Sequence, residues 1–375
     1  MANLKTSFAG IELKNPIIVA SSTLSENIEA IHNCEYYGAG AVIAKSCSST
    51  RLNEKHFRRC YINKRGFWAA SGFDREIQDV YETIEYLSLA VSKTSIPIIA
   101  SVSELSLDVD VWMKTCNLIQ QTGVSGIQLD MFYFENIFDD ENFRGKIINL
   151  FSTLKKELKI PIIPKLNINL PTLYMKKIFT ESDVRNISLL DSVSVPAPIA
   201  VDGKILECLP KSRNIPKASL FGEWQFPLTL KYLYELNDDS FSICAGGGIS
   251  DLKDIVQLIM YGATTVQIAT NIILNGYSNI QKYVVGLSNY LDSMKITNLE
   301  EIRGIAINNS NQIVEYIQAF PNWDKNKCLS CNRCVNQAFC SAISRQNGNI
   351  VVNQTLCESC SLCINICPSG ALSFI

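Results

Sequence analysis

The sequence predicts an α/β fold, a (β/α)8 TIM barrel that ends in a small cysteine-rich domain, and three observations carry that expectation. Short apolar runs alternate with longer helix-period segments from the start to about residue 300, a glycine triplet follows one of the last runs, and eight of the fourteen cysteines crowd into roughly the last fifty residues. At 375 residues the chain is too long for one small domain and suits a large barrel with an appendage. We place the boundary so that residues 1–310 form the barrel and 311–375 the second domain.

In chain order, the candidate strands are Pro16 to Ala20, Ala41 to Lys45, Pro97 to Ser101, Gly126 to Leu129, Ile162 to Leu166, Leu190 to Val193, Ser242 to Ala245 and Thr264 to Ile268. Helix-period apolar residues fill the segments between them, as in Asp108 to Thr122, Phe143 to Leu158 and Asp251 to Tyr261. Eight such units suit a barrel of ~250 residues plus insertions. A doubly wound open sheet shares the alternation, but the local chemistry favours the barrel. Ala245-Gly246-Gly247-Gly248-Ile249 follows the seventh strand and leads into a helix, and Ala263 to Thr270 forms the eighth strand and its exit. Glycines and small residues there expose backbone N–H groups at helix starts, which suits a phosphate dianion. FMN is the usual tenant of that position, although a glycine triplet by itself is equally a tight turn.

The net charge of −2 gives no basic footprint for nucleic acid. Charges or turn residues interrupt every apolar run before it reaches the ~18 residues of a membrane span. We see no signal peptide in the first residues, so the cysteines read as thiolate ligands in a reducing cytoplasm rather than as a disulfide framework. The two histidines leave little room for imidazole chemistry. His32 falls in a helical stretch and reads as structural; His56 lies in a basic loop with Lys55, Arg58 and Arg59.

Near the C-terminus, Cys328, Cys331 and Cys334 form a C-x2-C-x2-C string followed by Cys340. Cys357, Cys360 and Cys363 repeat it, followed by Cys367 and Pro368. The second run is the ligand string of bacterial two-cluster ferredoxins, in which the fourth cysteine serves the other cluster. Two 4Fe-4S clusters are therefore expected, one on Cys328, Cys331, Cys334 and Cys367, the other on Cys357, Cys360, Cys363 and Cys340. Paired zinc sites are the competing reading, but zinc needs neither a third cysteine at the same spacing nor a crossed fourth. The first run departs from the pattern by spacing its last cysteine with five residues, Val335 to Phe339, and by lacking the following proline.

The chain resembles the dihydroorotate dehydrogenase family. The resemblance rests on Leu13-Lys14-Asn15-Pro16-Ile17, Ala20-Ser21, Gly38 to Ser46, Pro97 to Val102, Lys165-Leu166, the two phosphate segments, and Gly286 to Leu291 with Leu299 to Gly304. With its ferredoxin tail the chain is most similar to the C-terminal part of dihydropyrimidine dehydrogenases. The resemblance implies that Ala20 and Ser21 lie against a flavin, that Lys45 and Lys165 reach its N1–O2 edge, and that Gly222, Gly247, Gly248, Ala269 and Thr270 line its phosphate end. Cations at that edge stabilise an anionic reduced ring.

The family's substrate loop departs in this chain. Where the resemblance expects an Asn-x-Ser-Cys-Pro-Asn-like string, the sequence reads Leu129-Asp130-Met131-Phe132-Tyr133-Phe134-Glu135-Asn136, and Ala69-Ala70-Ser71-Gly72 replaces a second substrate string. Tyr133 falls at the position of the catalytic base, and Asp130 and Ser194 at polar positions that we count with the cofactor set. A tyrosine near pKa ~10 serves better as an acid than as a base, so Tyr133 is expected to donate a proton, with Lys45 as the second catalytic residue. The implied activity is an FMN- and iron–sulfur-dependent oxidoreductase acting on a CH–CH group of a small molecule. A non-catalytic electron-transfer subunit, a rearranged dihydropyrimidine dehydrogenase and a barrel without FMN are the rivals. The expected partners are an external electron carrier (ferredoxin, flavodoxin or an NAD(P)H-oxidising subunit) and, by resemblance, a second copy in a homodimer.

Overall fold

The computed structural model describes residues 2–50, 77–131, 140–190, 192–196, 217–238, 240–308, 318–338 and 340–374, together with 58–63 and 66–71; for these last two segments and for 217–218 it describes the backbone alone. The chain divides into two compact units, Met1–Ser310 and Asn311–Ile375.

In the first unit, eight parallel strands alternate with helices: β1 (Ile17–Val19), α1 (Ile28–Tyr36), β2 (Ala41–Ile43), α2 (Val80–Lys93), β3 (Ile98–Val102), α3 (Val109–Gln120), β4 (Gly126–Leu129), α4 (Phe143–Glu157), β5 (Ile162–Pro164), α5 (Thr172–Glu181), β6 (Asn186–Ser188), α6 (Phe226–Leu236), β7 (Ser242–Gly246), α7 (Leu252–Met260), β8 (Thr265–Ile268) and α8 (Ser278–Ser293). The strands neighbour one another in the order β5-β4-β3-β2-β1-β8-β7-β6. A parallel bridge between Lys165 and Ser188, with the Leu166 N–H donating to the Ser188 carbonyl at 2.9 Å, joins β5 to β6 and closes the ring. The architecture is a (β/α)8 TIM barrel, as expected from the alternation together with the glycine turn and small-residue exit of the last two units.

The helices start where side chains can cap them. Asn27, Asp79, Asp108 and Asp251 each accept hydrogen bonds from backbone N–H groups of the first turn of α1, α2, α3 and α7. Their apolar faces meet the outside of the strands, where Trp112, Phe151 and Phe179 are fully buried and the two phenylalanine rings stack at 5.9 Å. An antiparallel hairpin, Thr6–Phe8 with Ile11–Leu13, covers the N-terminal end of the barrel. Its turn residues Ala9 and Gly10 both hold positive φ, which matches the twist of a two-residue hairpin loop. Phe8, Ile11 and Leu13 pack there against the inward residues Ile18, Ile43, Ile99, Ile163 and Cys244.

One expected strand lies elsewhere. The sixth strand is Asn186–Ser188, not Leu190 to Val193; the N–H groups of Leu189 and Leu190 still donate to β7 carbonyls, but Val193 opens a different sheet. That sheet is antiparallel, in the order Val193–Pro196, Lys217–Phe221, Gly66–Ser71, Arg58–Asn63. Its strands come from the excursions after β2 and β6. The apolar pair Leu189-Leu190 marks the strand's end, because Ser188 faces a polar interior.

The second unit has two short antiparallel pairs, Asn322–Trp323 with Leu372–Ser373 and Ile343–Gln346 with Asn349–Val352, and one short helix, Leu362–Asn365. Ile343, Ile350, Cys363 and Leu372 form its small core.

Cys34, Cys47, Cys116 and Cys244 are buried in the barrel, as expected of packing residues. Burial pushes the thiols of Cys34, Cys47 and Cys244 up to about 12 from an ordinary 9.0, and Cys116 further. A folded-state value raised above the unfolded one contributes stability that is complete below about pH 9 and is lost as pH rises towards about 12. The barrel's thermal midpoint should therefore fall progressively above about pH 9, and Cys47→Ala with Cys244→Ala should make the decline shallower. A midpoint that stays level through this range would contradict the assignment.

Candidate active site

The C-terminal mouth of the barrel collects the inward residues that lie above the apolar layer. Alternation along the strands puts Lys45 above Ile43, Ser101 above Ile99, Lys165 above Ile163 and Gln267 above Thr265. Lys165 is buried and Lys45 half-buried. Both backbones are anchored: the Lys45 N–H donates to Ser25 at 3.1 Å and the Lys165 N–H to Leu129 at 3.0 Å. Two cations thus sit at the inner ends of β2 and β5, where the resemblance places the flavin edge. Ala20 and Ser21 continue β1, and Ser21 Oγ lies 3.2 Å from Ser46 Oγ.

A buried chain of hydrogen bonds runs across this layer. Gln267 Nε2 donates to Ser188 Oγ at 2.8 Å, and Ser188 Oγ donates to Gln128 Oε1 at 3.0 Å. Gln128 Nε2 donates to Ser101 Oγ at 3.2 Å; Ser101 and Ser46 hydroxyls pair at 2.9 Å; Ser46 Oγ donates to Asp130 Oδ2 at 3.0 Å. A carboxylate can only accept. The single Ser46 proton is therefore committed to Asp130, Ser101 must donate to Ser46, and each earlier donor follows. Asp130 is 2% exposed, and its own N–H and carbonyl are fixed by Val102 and by the Ser103 hydroxyl.

The glycine turn after β7 is held from outside the barrel. Gly247 and Gly248 have φ of +102° and +87°, a region that costs an L side chain dearly. A Cβ on Gly248 would stand 2.2 Å from the Phe226 nitrogen, so the start of α6 presses on this turn. Thr229 Oγ1 donates to the carbonyls of Gly246 and Gly247 at 3.0 and 2.8 Å. Gly222 holds positive φ just before the turn of helix that leads into α6. Ala269 and Thr270 open a short helix, Thr270–Asn275, inserted between β8 and α8. These small and glycine residues, with the two lysines, suit a planar ring that carries an anionic tail.

Ser194 lies on the antiparallel sheet opposite Ser219. Tyr133 and His56 fall outside the described residues, as do the side chains of Arg58, Arg59 and Cys60.

In the second unit the crossed cysteine sets share electrostatic neighbourhoods. Burial raises the Cys334 thiol, followed by the charges of Cys367, Cys328 and Cys331. Burial likewise brings Cys363 up to about 11, followed by Cys340, Cys357 and Cys360. Among the described residues, no three His, Cys, Asp or Glu side chains gather closely enough to hold a single metal ion. Both C-x2-C-x2-C loops also share a backbone signature: Ser330 and Asn332 flank Cys331, Ser359 and Ser361 flank Cys360, and all four hold φ between 54° and 60°. The Trp323 indole N–H and the Ser359 hydroxyl are buried without a well-formed hydrogen bond in the chain. The indole, ahead of the Ser330 backbone and Arg345, holds the Cys328 thiol below its ordinary value. Loops wrapped this way, with cysteines repeated at matched intervals and donors beside them, fit sulfide-rich iron clusters.

Residues 3–291 match the dihydroorotate dehydrogenase family profile, and residues 350–373 match that of the 4Fe-4S binding domain. The chain belongs to the dihydroorotate dehydrogenase family. It is similar to the dihydroorotate dehydrogenase B (NAD(+)) catalytic subunit of Thermoplasma acidophilum, with 25% identity over 82% of this chain and 100% of the relative. A catalytic subunit of the same description from Methanocaldococcus jannaschii is 25% identical over 81% of this chain and 98% of its own length. The NAD-dependent dihydropyrimidine dehydrogenase subunit PreA of Escherichia coli is 22% identical, with 99% of this chain and 95% of the relative covered. Membership of the dihydroorotate dehydrogenase family, with a 4Fe-4S domain attached, makes this chain a flavin-dependent iron–sulfur oxidoreductase. No helix among the described residues is long and apolar enough to cross a membrane.

Sequence reasoning had not singled out Ser46, Ser101, Gln128, Ser188 or Gln267. Their signal is a polar residue set within or just after a run that otherwise reads as buried strand, clearest at Ser101, two positions after the inward Ile99. Replacing Gln128 by Leu would leave the Ser101 oxygen without its donor and the Ser188 hydroxyl without its acceptor. We expect the unfolding free energy to drop by about 2 kcal/mol or more, read from the urea midpoint. A midpoint equal to wild type would show that the chain of bonds carries no stability.

Proposed function

We propose that this chain binds FMN at the barrel mouth and two 4Fe-4S clusters in its C-terminal unit, and oxidises or reduces a CH–CH bond of a small molecule. The observation that carries this reading is the pair Lys45 and Lys165, set on the inward faces at the ends of β2 and β5, at the same mouth as the glycine turn of β7 and the small-residue exit of β8. Bound FMN would supply two-electron chemistry towards the substrate and one-electron exchange with the clusters.

The chain's own residues then divide the work. Lys45 and Lys165 offer preorganised positive charge where electron density accumulates on reduction, without waiting for solvent to reorganise. Ala20 and Ser21 are small enough to let a planar ring lie against β1. Gly222, Gly247, Gly248, Ala269 and Thr270 present backbone at the phosphate end. Ser46 aims Asp130, and any substrate group that meets that carboxylate must be a hydrogen-bond donor. We assign proton delivery to Tyr133 and the two cluster sets to Cys328, Cys331, Cys334 and Cys367, and to Cys340, Cys357, Cys360 and Cys363. Ser194 completes the cofactor set. An external carrier would exchange electrons with the clusters.

The test begins with protein purified without oxygen, which should contain about eight irons and one flavin per chain. Iron without flavin would overturn the enzyme reading in favour of an electron carrier. In the flavin-loaded protein, Lys165→Ala should shift the flavin midpoint potential downward, because the reduced anion loses a cation; an unchanged potential would remove Lys165 from the site. Once a turned-over substrate is found, Tyr133→Phe should cut its rate by about a hundredfold or more. A wild-type rate would reassign the proton donor.

A further inference from the structure

Hydrogen-bond donors in the second unit are unevenly shared between the two cysteine sets. Arg345 lies on the strand Ile343–Gln346 and is half-buried. Its Nε donates to Asn332 Oδ1 at 2.7 Å and its Nη1 to the Gly348 carbonyl at 2.9 Å, and these bonds hold Nη2 3.9 Å from Cys328 Sγ. A guanidinium is always charged and its fork is rigid, so this cation is fixed against one sulfur. The buried Trp323 indole N–H finds no well-formed acceptor elsewhere in the chain, and the group it faces is the Cys328 sulfur. The strand that carries it pairs Trp323 with Leu372, and the neighbouring Ala371 N–H donates to Cys367 Sγ at 3.2 Å.

Cys328 and Cys367 belong to the same set. Among the described residues, the side-chain hydrogen bonds that reach a cysteine sulfur of this unit come from Arg345, at Cys328, and Ser369, 3.7 Å from Cys367. In the second run Ser359 has a buried hydroxyl without a partner, but that donor is neutral. Charge along the sequence follows the same division: Arg333 stands between Cys331 and Cys334, and Glu358 between Cys357 and Cys360.

We propose that Trp323 and Arg345 are positioning residues that set the two clusters at unequal potentials. The cluster on Cys328, Cys331, Cys334 and Cys367 accepts the first electron, and the cluster on Cys340, Cys357, Cys360 and Cys363 the second. The inference rests on the cluster assignment made above. Each reduction adds one electron to a cluster and its thiolates, and no bond or proton changes hands. A fixed cation and aimed N–H groups stabilise the added negative charge, and hydrogen bonds to the sulfurs together with local charge set the potential of such a cluster. An electron that enters the unit then comes to rest on the first set, whichever cluster receives it.

The experiment is an anaerobic redox titration of the whole cluster-loaded protein, with dithionite as reductant and EPR as the readout. Wild type should reduce in two separate one-electron steps. Trp323→Phe and Arg345→Gln should each move the higher step downward, changing its equilibrium constant about tenfold, which is about 59 mV, and leave the lower step in place. Arg345→Lys keeps the charge and should recover part of the loss. A second measurement needs no variant: in wild type carrying nitrogen-labelled tryptophan, pulsed EPR of the half-reduced protein should show the label coupled to the cluster. Coincident steps in wild type, variants that shift only the lower step or neither, or a label without coupling would overturn the proposal. Iron far below about eight per chain would instead remove the cluster assignment beneath it, and the proposal with it.

Discussion

A buried carboxylate sets the order of the barrel's upper interior. Asp130 can accept hydrogen bonds but not donate them, and that one-sidedness passes backward through Ser46, Ser101, Gln128 and Ser188 to Gln267. An amide at position 130 could point either way and would leave the hydroxyls free to reverse. The carboxylate removes that freedom. Bonds aligned head to tail in a dry interior polarise one another, so the chain ties β8, β6, β4 and β3 to the segment after β2 and gives the mouth a fixed electrostatic sense. Its layer sits above an apolar one of Ile18, Ile43, Ile99 and Ile163, and this separation lets a site with lysines exist without opening the core to water.

The cysteine loops depend on a different constraint. Four non-glycine residues in left-handed conformation, at matched positions around Cys331 and Cys360, each cost roughly 1–2 kcal/mol relative to ordinary backbone. Asparagine and serine tolerate that region better than branched residues, which explains their choice beside the central cysteines. The left-handed residues on either side of each central cysteine turn the chain sharply around it. In the proposed assignment, thiolate–iron bonds would return that energy.

How much of this was legible depended on what each residue needed from its neighbours. Barrel strands announce themselves through local apolar runs, and seven of the eight expected segments overlap the observed strands. The sixth did not, because Asn186-Ile187-Ser188 carries polar residues demanded by the interior chain, and the eye was drawn to Leu189-Leu190 and beyond. The antiparallel sheet was missed altogether: its strands come from two excursions far apart in sequence, pairing Ser219 with Ala69, and no local pattern reports such a partner. The glycine turn was legible as a turn. That α6 presses on Gly248 was not, since Phe226 lies over twenty positions upstream. Cysteine spacing carried most because ligand geometry is written directly into the interval between residues.

The size of the second unit bears on why the two proposed quartets are crossed. Its core consists of Ile343, Ile350, Cys363 and Leu372, and two of its strands are only two residues long. A segment of this size cannot bury enough apolar surface to order itself. Sets confined to one loop each would stiffen two local turns and leave the intervening hairpin untethered. In the proposed assignment, sharing Cys367 with the first run and Cys340 with the second would make each ligand set span the unit, so ligation would close long stretches of chain at once, where loop-closure entropy is largest. The energy of forming the metal sites would then become folding energy for the whole unit, and the same bonds that order the chain would hold the electron-carrying centres at fixed places within it.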